Sequence, residues 1–429
     1  MDGQSGYLRL TLTPTGANGY IDNTAESLIN RIQTYGSGGQ LISDLQQYNV
    51  LANMMMDLQL SQSEKIGLSA TLGTEDDYFS ATAATALTYT AQTAQNAFAT
   101  LPAAQVDAGD AFDTLTATTT PTITNTNRKG RAVTVSANPT TSYTFCIPLL
   151  HPMFSMSEKY WPAFAMSDDT RLEVTWATAV EALVTCTGYS ISNPEIVVDF
   201  IELDSSVFPL IEQTYAGRDL IIPAQDYRHY SSQIASGTSG NISQIIPAKQ
   251  QSARAFFFSF RPQETQVAAG YTVSSRVCPF YSINDSFNLN IGGMKVPPHP
   301  IRTRVAGNLS EWFASTQTAL HAFNSIEMDG CLNRTYYQAI ATQAGHQNGA
   351  NSYQNGWALG INLDTLRGQS QTQNSGINLS GVTTYYEGYI GTEAKNVAAA
   401  ADEAYSVDAY LLFDVMFVID QAGLCSVRF

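Results

Sequence analysis

Two hydrophobic periods alternate along this chain. In "YLRLTLTPTG", Leu8, Leu10 and Leu12 alternate with polar neighbours. That is the two-residue period of a half-buried strand ending in a Pro/Gly turn. "SLINRIQTYGSGGQ" predicts a second strand and a glycine turn. The period then lengthens. Leu41, Leu45, Tyr48, Leu51 or Ala52, Met55 and Leu58 or Gln59 recur every three to four residues. This spacing predicts an amphipathic helix over residues 42–60, with its methionines as packing groups. Residues 69–141 are rich in Ala and Thr and poor in charge. They predict a long excursion that packs on itself or on another subunit.

Strand patterns return in "SYTFCIPLLHPMF", "TRLEVTWATAVEALV" and "SNPEIVVDFIELD". "SSVFPLIEQTYAG" follows, with Val207, Phe208 and Ile211 on one helical face. Ser205 or Ser206 is the expected cap, Pro209 fits the first turn, and Gly217 suits the end. Past it come "DLIIPAQDY", "ISQIIPAKQ", "RAFFFSFRPQ" and "SFNLNIGGMKVPPHPI". A second amphipathic helix is predicted in "NLSEWFASTQTALHAFNSI", capped by Ser310. Trp312 or Phe313, Thr316, Leu320 and Phe323 share one of its faces. A polar excursion over 330–356 precedes "WALGINLDTL", "VTTYYEGYI" and "YSVDAYLLFDVMFVIDQAGLCSVRF".

The halves echo each other. Each has strands, one amphipathic helix, a polar excursion and a last apolar strand. The last strands share spelling: "YSISNPEIVVDF" from Tyr189 and "YSVDAYLLFDV" from Tyr405. The pattern predicts a duplicated β domain, with units 1–204 and 218–429 joined by a linking helix over 205–217. A β unit of that size with long loops fits a sandwich or jelly roll.

Composition supports a β protein. Of 429 residues, 44% are apolar and 14% charged, with 22 Tyr and 19 Phe. Low charge leaves the surface to Thr, Ser, Asn, Gln and Gly, and suggests burial against neighbours. The net charge is −16, and the one tight basic cluster is Arg128, Lys129 and Arg131, read as a solvated loop. Strong direct nucleic-acid binding is not expected without a basic footprint. The five cysteines are widely spaced, with no CxxC, and read mostly as buried thiols. "MDGQSGYLRL" lacks the basic and apolar regions of a signal peptide, and no apolar run reaches membrane-span length. A soluble protein made inside a cell is expected.

Candidate chemistry is sparse. His151, His229, His299, His321 and His346 have no partners at metal-ligand spacing. His151, His299 and His321 read as turn or packing residues. GxSxG, HExxH and P-loop motifs are absent, and "GSGG" reads as a turn. Glu75, Asp76 and Asp77 lack calcium-loop spacing. Sequons at Asn241, Asn284, Asn308, Asn333 and Asn378 are expected to be unused. No catalytic, cofactor-binding or metal residues are expected. A site for catalysis concentrates ionisable groups, and this chain spreads them.

Several segments resemble the double jelly-roll major capsid proteins of tailless icosahedral DNA viruses, most of all those of polinton-like viruses and virophages. They are "ISDLQQYNVLANMMMDLQ", "SNPEIVVDFIELDSSV", "NLNIGGMKVPPHPI" and "LLFDVMFVIDQAGLCSVRF". The resemblance implies a mainly β chain of two tandem eight-stranded jelly rolls with a few short helices and long loops. It also implies a non-enzymatic homotrimer of pseudo-hexagonal outline that tiles the virion shell. Neighbouring capsomers and minor capsid or penton proteins would be its partners. An inner membrane beneath the shell is left open. A non-enzymatic glycan-binding β-sandwich of a viral fibre or cell surface is the alternative and would need an aromatic-lined groove. A carbohydrate-cleaving enzyme would need a carboxylate pair, and none stands out.

Overall fold

The structure is a computed structural model. It describes residues 1–15, 20–22, 24–60, 64, 67–74, 129–132, 142–157, 160–184, 188–207, 209, 213, 218–262, 284–302, 310–320, 358–364, 376–391 and 404–428. The first unit carries, in chain order, β1 (Asp2–Thr15), β2 (Tyr20–Asp22), β3 (Ile29–Tyr35), β4 (Leu41–Gln46), helix α1 (Tyr48–Gln59), β5 (Lys129–Ala132), β6 (Tyr143–Pro148), β7 (Arg171–Trp176), β8 (Leu183–Val184) and β9 (Gly188–Asp199). The second carries β10 (Leu220–Ile234), β11 (Gly240–Ile246), β12 (Ala253–Pro262), β13 (Ser286–Ile291), β14 (Met294–Arg302), helix α2 (Ser310–Ala319), β15 (Leu359–Asn362), β16 (Thr384–Ile390), β17 (Tyr405–Ile419) and β18 (Cys425–Arg428).

The second unit is a jelly roll of two four-stranded antiparallel sheets, ordered β10-β17-β12-β15 and β11-β16-β13-β14, with β18 added along β17. Phe256, Phe258 and Phe260 recur every second residue on β12, and all are buried. The Tyr386 ring of β16 sits 4.9 Å from that of Phe258 and 5.8 Å from that of Phe260, which joins the sheets. Burying each such ring stabilises the fold by about 1.5–3 kcal/mol.

The first unit repeats this order. Its sheet β6-β1-β9 corresponds to β15-β12-β17, and β4-β3-β7 corresponds to β14-β13-β16. Helices α1 and α2 each follow the hairpin β3-β4 or β13-β14. A small sheet, β5-β2-β8, is particular to the first unit among the described residues. Register supports the repeat. Tyr189 of β9 pairs with Pro14 of β1, and Tyr405 of β17 pairs with Pro262 of β12. The shared Tyr-Ser spelling therefore marks equivalent positions of equivalent strands. The fold is a double jelly roll, and one buried apolar cluster runs through both units.

Several local expectations need correction. Residues 42–46 belong to β4, and the helix starts at Tyr48. Ladder bonds to β3 and the Arg31–Asp44 ion pair (2.7 and 2.8 Å) hold this segment extended. Gln47, at φ 51°, turns the chain from strand to helix. "GSGG" is the β3-β4 turn, with Gly38 at φ 83° and Gly39 at φ 73°, where a side chain would be strained. "EIVVDFIELD" leaves the ladder at Asp199, where the pairing with β1 ends. Asp204, not a serine, receives the next turn: its Oδ1 accepts from Ser206 N at 2.9 Å and its carbonyl from Val207 N at 2.9 Å. Pro209 and Gln213 are helical, and most of the expected linking helix lies outside the described residues. Lys129 and Arg131 lie in β5 rather than a loop, while Arg128 is outside the described residues. Helix α2 buries Trp312 and Thr316 as expected but begins at Ser310 itself, and Phe323 lies outside the described residues.

Candidate functional site

Where the two rolls meet, the β10-β17-β12 sheet turns its second face towards the first roll. Alternation makes this possible: Asp408 and Tyr410 of β17 lie on the face opposite to Val407, Ala409 and Leu411, which pair with Phe260, Phe258 and Phe256. Tyr410 donates its hydroxyl to the Gln47 carbonyl at 2.9 Å. The Tyr227 hydroxyl reaches Met55 Sδ of α1 at 4.0 Å. Trp161 meets Phe417 edge-on, with ring centroids 5.4 Å apart. Backbone bonds continue the seam, with Gln225 N donating to Met156 O at 3.2 Å and Ser167 N to Gly423 O at 3.1 Å.

Buried ionic groups line this sheet. Asp408 Oδ1 pairs with His229 Nε2 at 2.8 Å, and Asp408 Oδ2 accepts from Arg261 Nε at 2.6 Å. Burial alone would raise the Asp408 carboxyl, but the Arg261 charge and the bonds from His229 and Arg261 outweigh it and hold it at about 2. Asp226 faces β4, and burial pushes its carboxyl up to about 7, against bonds from Ser43 and the Tyr227 amide and the charge of Arg228. Arg254 lies between Asp364 (3.3 Å) and Asp414 (3.6 Å), and Ser252 donates to Asp414 Oδ2 at 2.6 Å. The ionic residue that interrupts the last apolar strand is thereby satisfied.

The histidines separate. His151 is buried, with Nδ1 accepting from Met153 N at 3.2 Å and Nε2 bonded to Thr34 Oγ1 at 2.7 Å. Burial lowers it to about 3, so it is a neutral packing residue. His229 belongs to the seam. His299 departs from expectation: it is exposed on β14, an edge strand where Pro297, Pro298 and Pro300 need no ladder donors. His321 and His346, Glu75, Asp76 and Asp77, and Cys186, Cys278 and Cys331 lie outside the described residues. Cys425 is buried and Cys146 half-buried, both free. Asn284 is buried, so its sequon is closed in the folded chain.

Sequence reading missed the Asp408–Arg261–His229 group. Its signal was present in "YSVDAYLLF" and "FFFSFRPQ", where one ionic residue interrupts each strand rich in apolar and aromatic residues. Which face those residues take is set by pairing with a distant strand. Among the described residues, no group of three or more His, Cys, Asp or Glu could hold a metal ion. No helix among them is long and apolar enough to cross a membrane. A cleft of about 750 Å³ opens beside β14, lined by Ser286, Pro297, His299, Ile301, Arg302 and Glu311 among others. Among the described residues, no Trp, Tyr or Phe lines it. Large apolar side chains are instead spread over outer faces, including Ile245, Tyr389 and Met294 on the β11-β16-β13-β14 sheet.

These features define a class by its fold: two jelly rolls side by side, sealed by a buried seam. Solved structures of viral capsids share it. The capsid of the virus PBCV-1 is similar over 100% of this chain and 90% of its own, with a TM-score of 0.54 and 12% identity. The Sputnik virophage structure is similar over 99% of this chain and 82% of its own, with a TM-score of 0.51 and 9% identity. No family model and no curated protein matches the chain.

Proposed function

We propose that this protein is the major capsid protein of a virus and that its folded subunit is a structural tile without enzymatic activity. The observation that carries the reading is the internal repeat: two equivalent rolls fused through one buried seam. Three subunits would present six similar walls, a pseudo-hexagonal block that packs in a lattice. Such a trimer requires the same heterologous interface repeated about a three-fold axis. Units 1–204 and 218–429, joined through 205–217, are the proposed rolls. Partners are further copies in the trimer, neighbouring capsomers, and minor capsid or penton proteins, all within the virion. The acidic chain, at net charge −16, is suited to coat rather than condense a genome.

Light scattering coupled to gel filtration, with negative-stain images of the same peak, tests this. The expected result is a trimer with a hexagonal outline. A monomer at high protein concentration, or a fibre, would overturn the reading.

A further inference from the structure

Three consecutive residues of β10 cross the seam, each to a different part of the first roll. Gln225 N donates to Met156 O at 3.2 Å, in the segment that follows β6. Asp226 faces Ser43 and Asp44 of β4. The Tyr227 hydroxyl reaches Met55 Sδ of α1 at 4.0 Å. Asp226 is the ionisable carboxyl of the three, and it is only 4% exposed.

Its surroundings suit an uncharged carboxyl. Asp44 stands across the seam with both oxygens bonded to Arg31 of β3, at 2.7 and 2.8 Å, so that guanidinium answers Asp44. From β10 itself come the Tyr227 amide, at 2.8 Å, and Arg228, an exposed cation screened by water. Strand β17 sets Phe413 opposite Asp226. The groups brought by α1 and by the segment after β6 are the uncharged Met55 sulfur and Met156 carbonyl. An ionised Asp226 would be buried beside a second carboxylate. Asp408, on the same sheet, has direct bonds to Arg261 and His229 instead. The sheet thus holds one buried carboxyl suited to charge and one suited to its proton.

We propose that residues 225–227 of β10 form a pH-sensitive latch between the two rolls, closed while Asp226 carries its proton and released locally when it loses it. Protonated, the carboxyl both donates and accepts hydrogen bonds, and no charge opposes Asp44. Ionised, it is stabilised by reaching water, and β10 must lift from β4 to let water in. Burial first, and the Asp44 charge after it, bring this titration up to about 7, so the latch works close to neutral pH. Release frees the neighbouring contacts to Met156 and Met55, since both flank Asp226 directly. This inference goes beyond the capsid reading. It concerns one subunit and stands whether or not that reading does.

Amide exchange of the full chain, resolved by peptide and corrected for the intrinsic rate at each pH, tests the latch. The reporters are peptides of β4 and of β10 around Gln225 to Tyr227. The controls are peptides of β12 and β16 that hold Phe258 and Tyr386. Opening returns Asp226 to ordinary carboxylate behaviour, so the opening equilibrium should rise about tenfold per pH unit between about pH 4 and pH 7. Reporter protection should therefore fall roughly a hundredfold from about pH 5 to about pH 7 and then level off, while the controls keep theirs. Asp226→Asn keeps the shape and removes the titration, and should make reporter protection independent of pH. Asp44→Asn removes the facing charge and frees Arg31, and should move the levelling-off to lower pH. An equal fall in reporters and controls would overturn the latch, because Asp226 would then act only on overall stability. Flat reporter protection in the parent chain would overturn it too, as would an unchanged profile in either variant.

Discussion

Asp408 stays ionised inside the protein because Arg261 and His229 both reach it. Removing a single partner of a buried pair leaves an uncompensated charge, which costs about 3–5 kcal/mol. Asp408→Ala is therefore expected to lower unfolding free energy by about that amount in urea titration. Asp226 behaves in the opposite sense. Its folded value, about 7, lies above the ordinary 3.8. Its contribution is fully present below the ordinary carboxylate value and is lost as pH rises through about 7. The Asp226 share of the melting temperature should therefore fall between about pH 4 and pH 7. Asp226→Asn should flatten that fall, and an unchanged slope would remove Asp226 as its source. His151, lowered to about 3, adds the other limb: stability declines as pH drops from its ordinary 6.5 towards 3.

Elements were legible where one period ran uninterrupted. β1 follows from alternation, and β12 and β17 from dense apolar runs, because both of their faces are buried. The β4-α1 junction was not legible. Leu41, Leu45 and Tyr48 satisfy a helical period, yet the ladder to β3 takes residues 41–46 into the sheet. Pairing with the preceding strand outweighs a local period, since leaving β3 and β4 unpaired would leave buried amides unsatisfied. The close approach of β15 to α2 was equally hidden. A Cβ on Gly360 would lie 2.8 Å from Ala319 Cβ and 3.1 Å from Thr316 Cα. Gly360→Val should thus push the helix off the sheet and cost about 1–3 kcal/mol, read as a lower denaturation midpoint.

At the scale of the molecule, the repeat is the main architectural fact and the seam is what makes it one body. In the proposed assembly, outer faces carry the contacts between subunits. Ile245 is 62% exposed on β11, so Ile245→Asp should change folding stability by less than about 0.5 kcal/mol. The same substitution should weaken self-association at least tenfold by light scattering, if this face lies between subunits. An unaltered trimer would exclude this face from the contact. The acidic cluster at 75–77 and the polar excursion at 330–356 lie outside the described residues.

By itself the sequence determined the β class, the repeated order of elements and the absence of known catalytic motifs. These depend on local periods and on spelling shared between halves, which one chain carries without reference to its partners. Tertiary structure alone decided which strands pair and where the Asp408–Arg261–His229 group lies. The physical reason is that hydrogen-bonded pairing and burial link residues more than a hundred positions apart. A strand's own pattern names its two faces but not what will cover each of them.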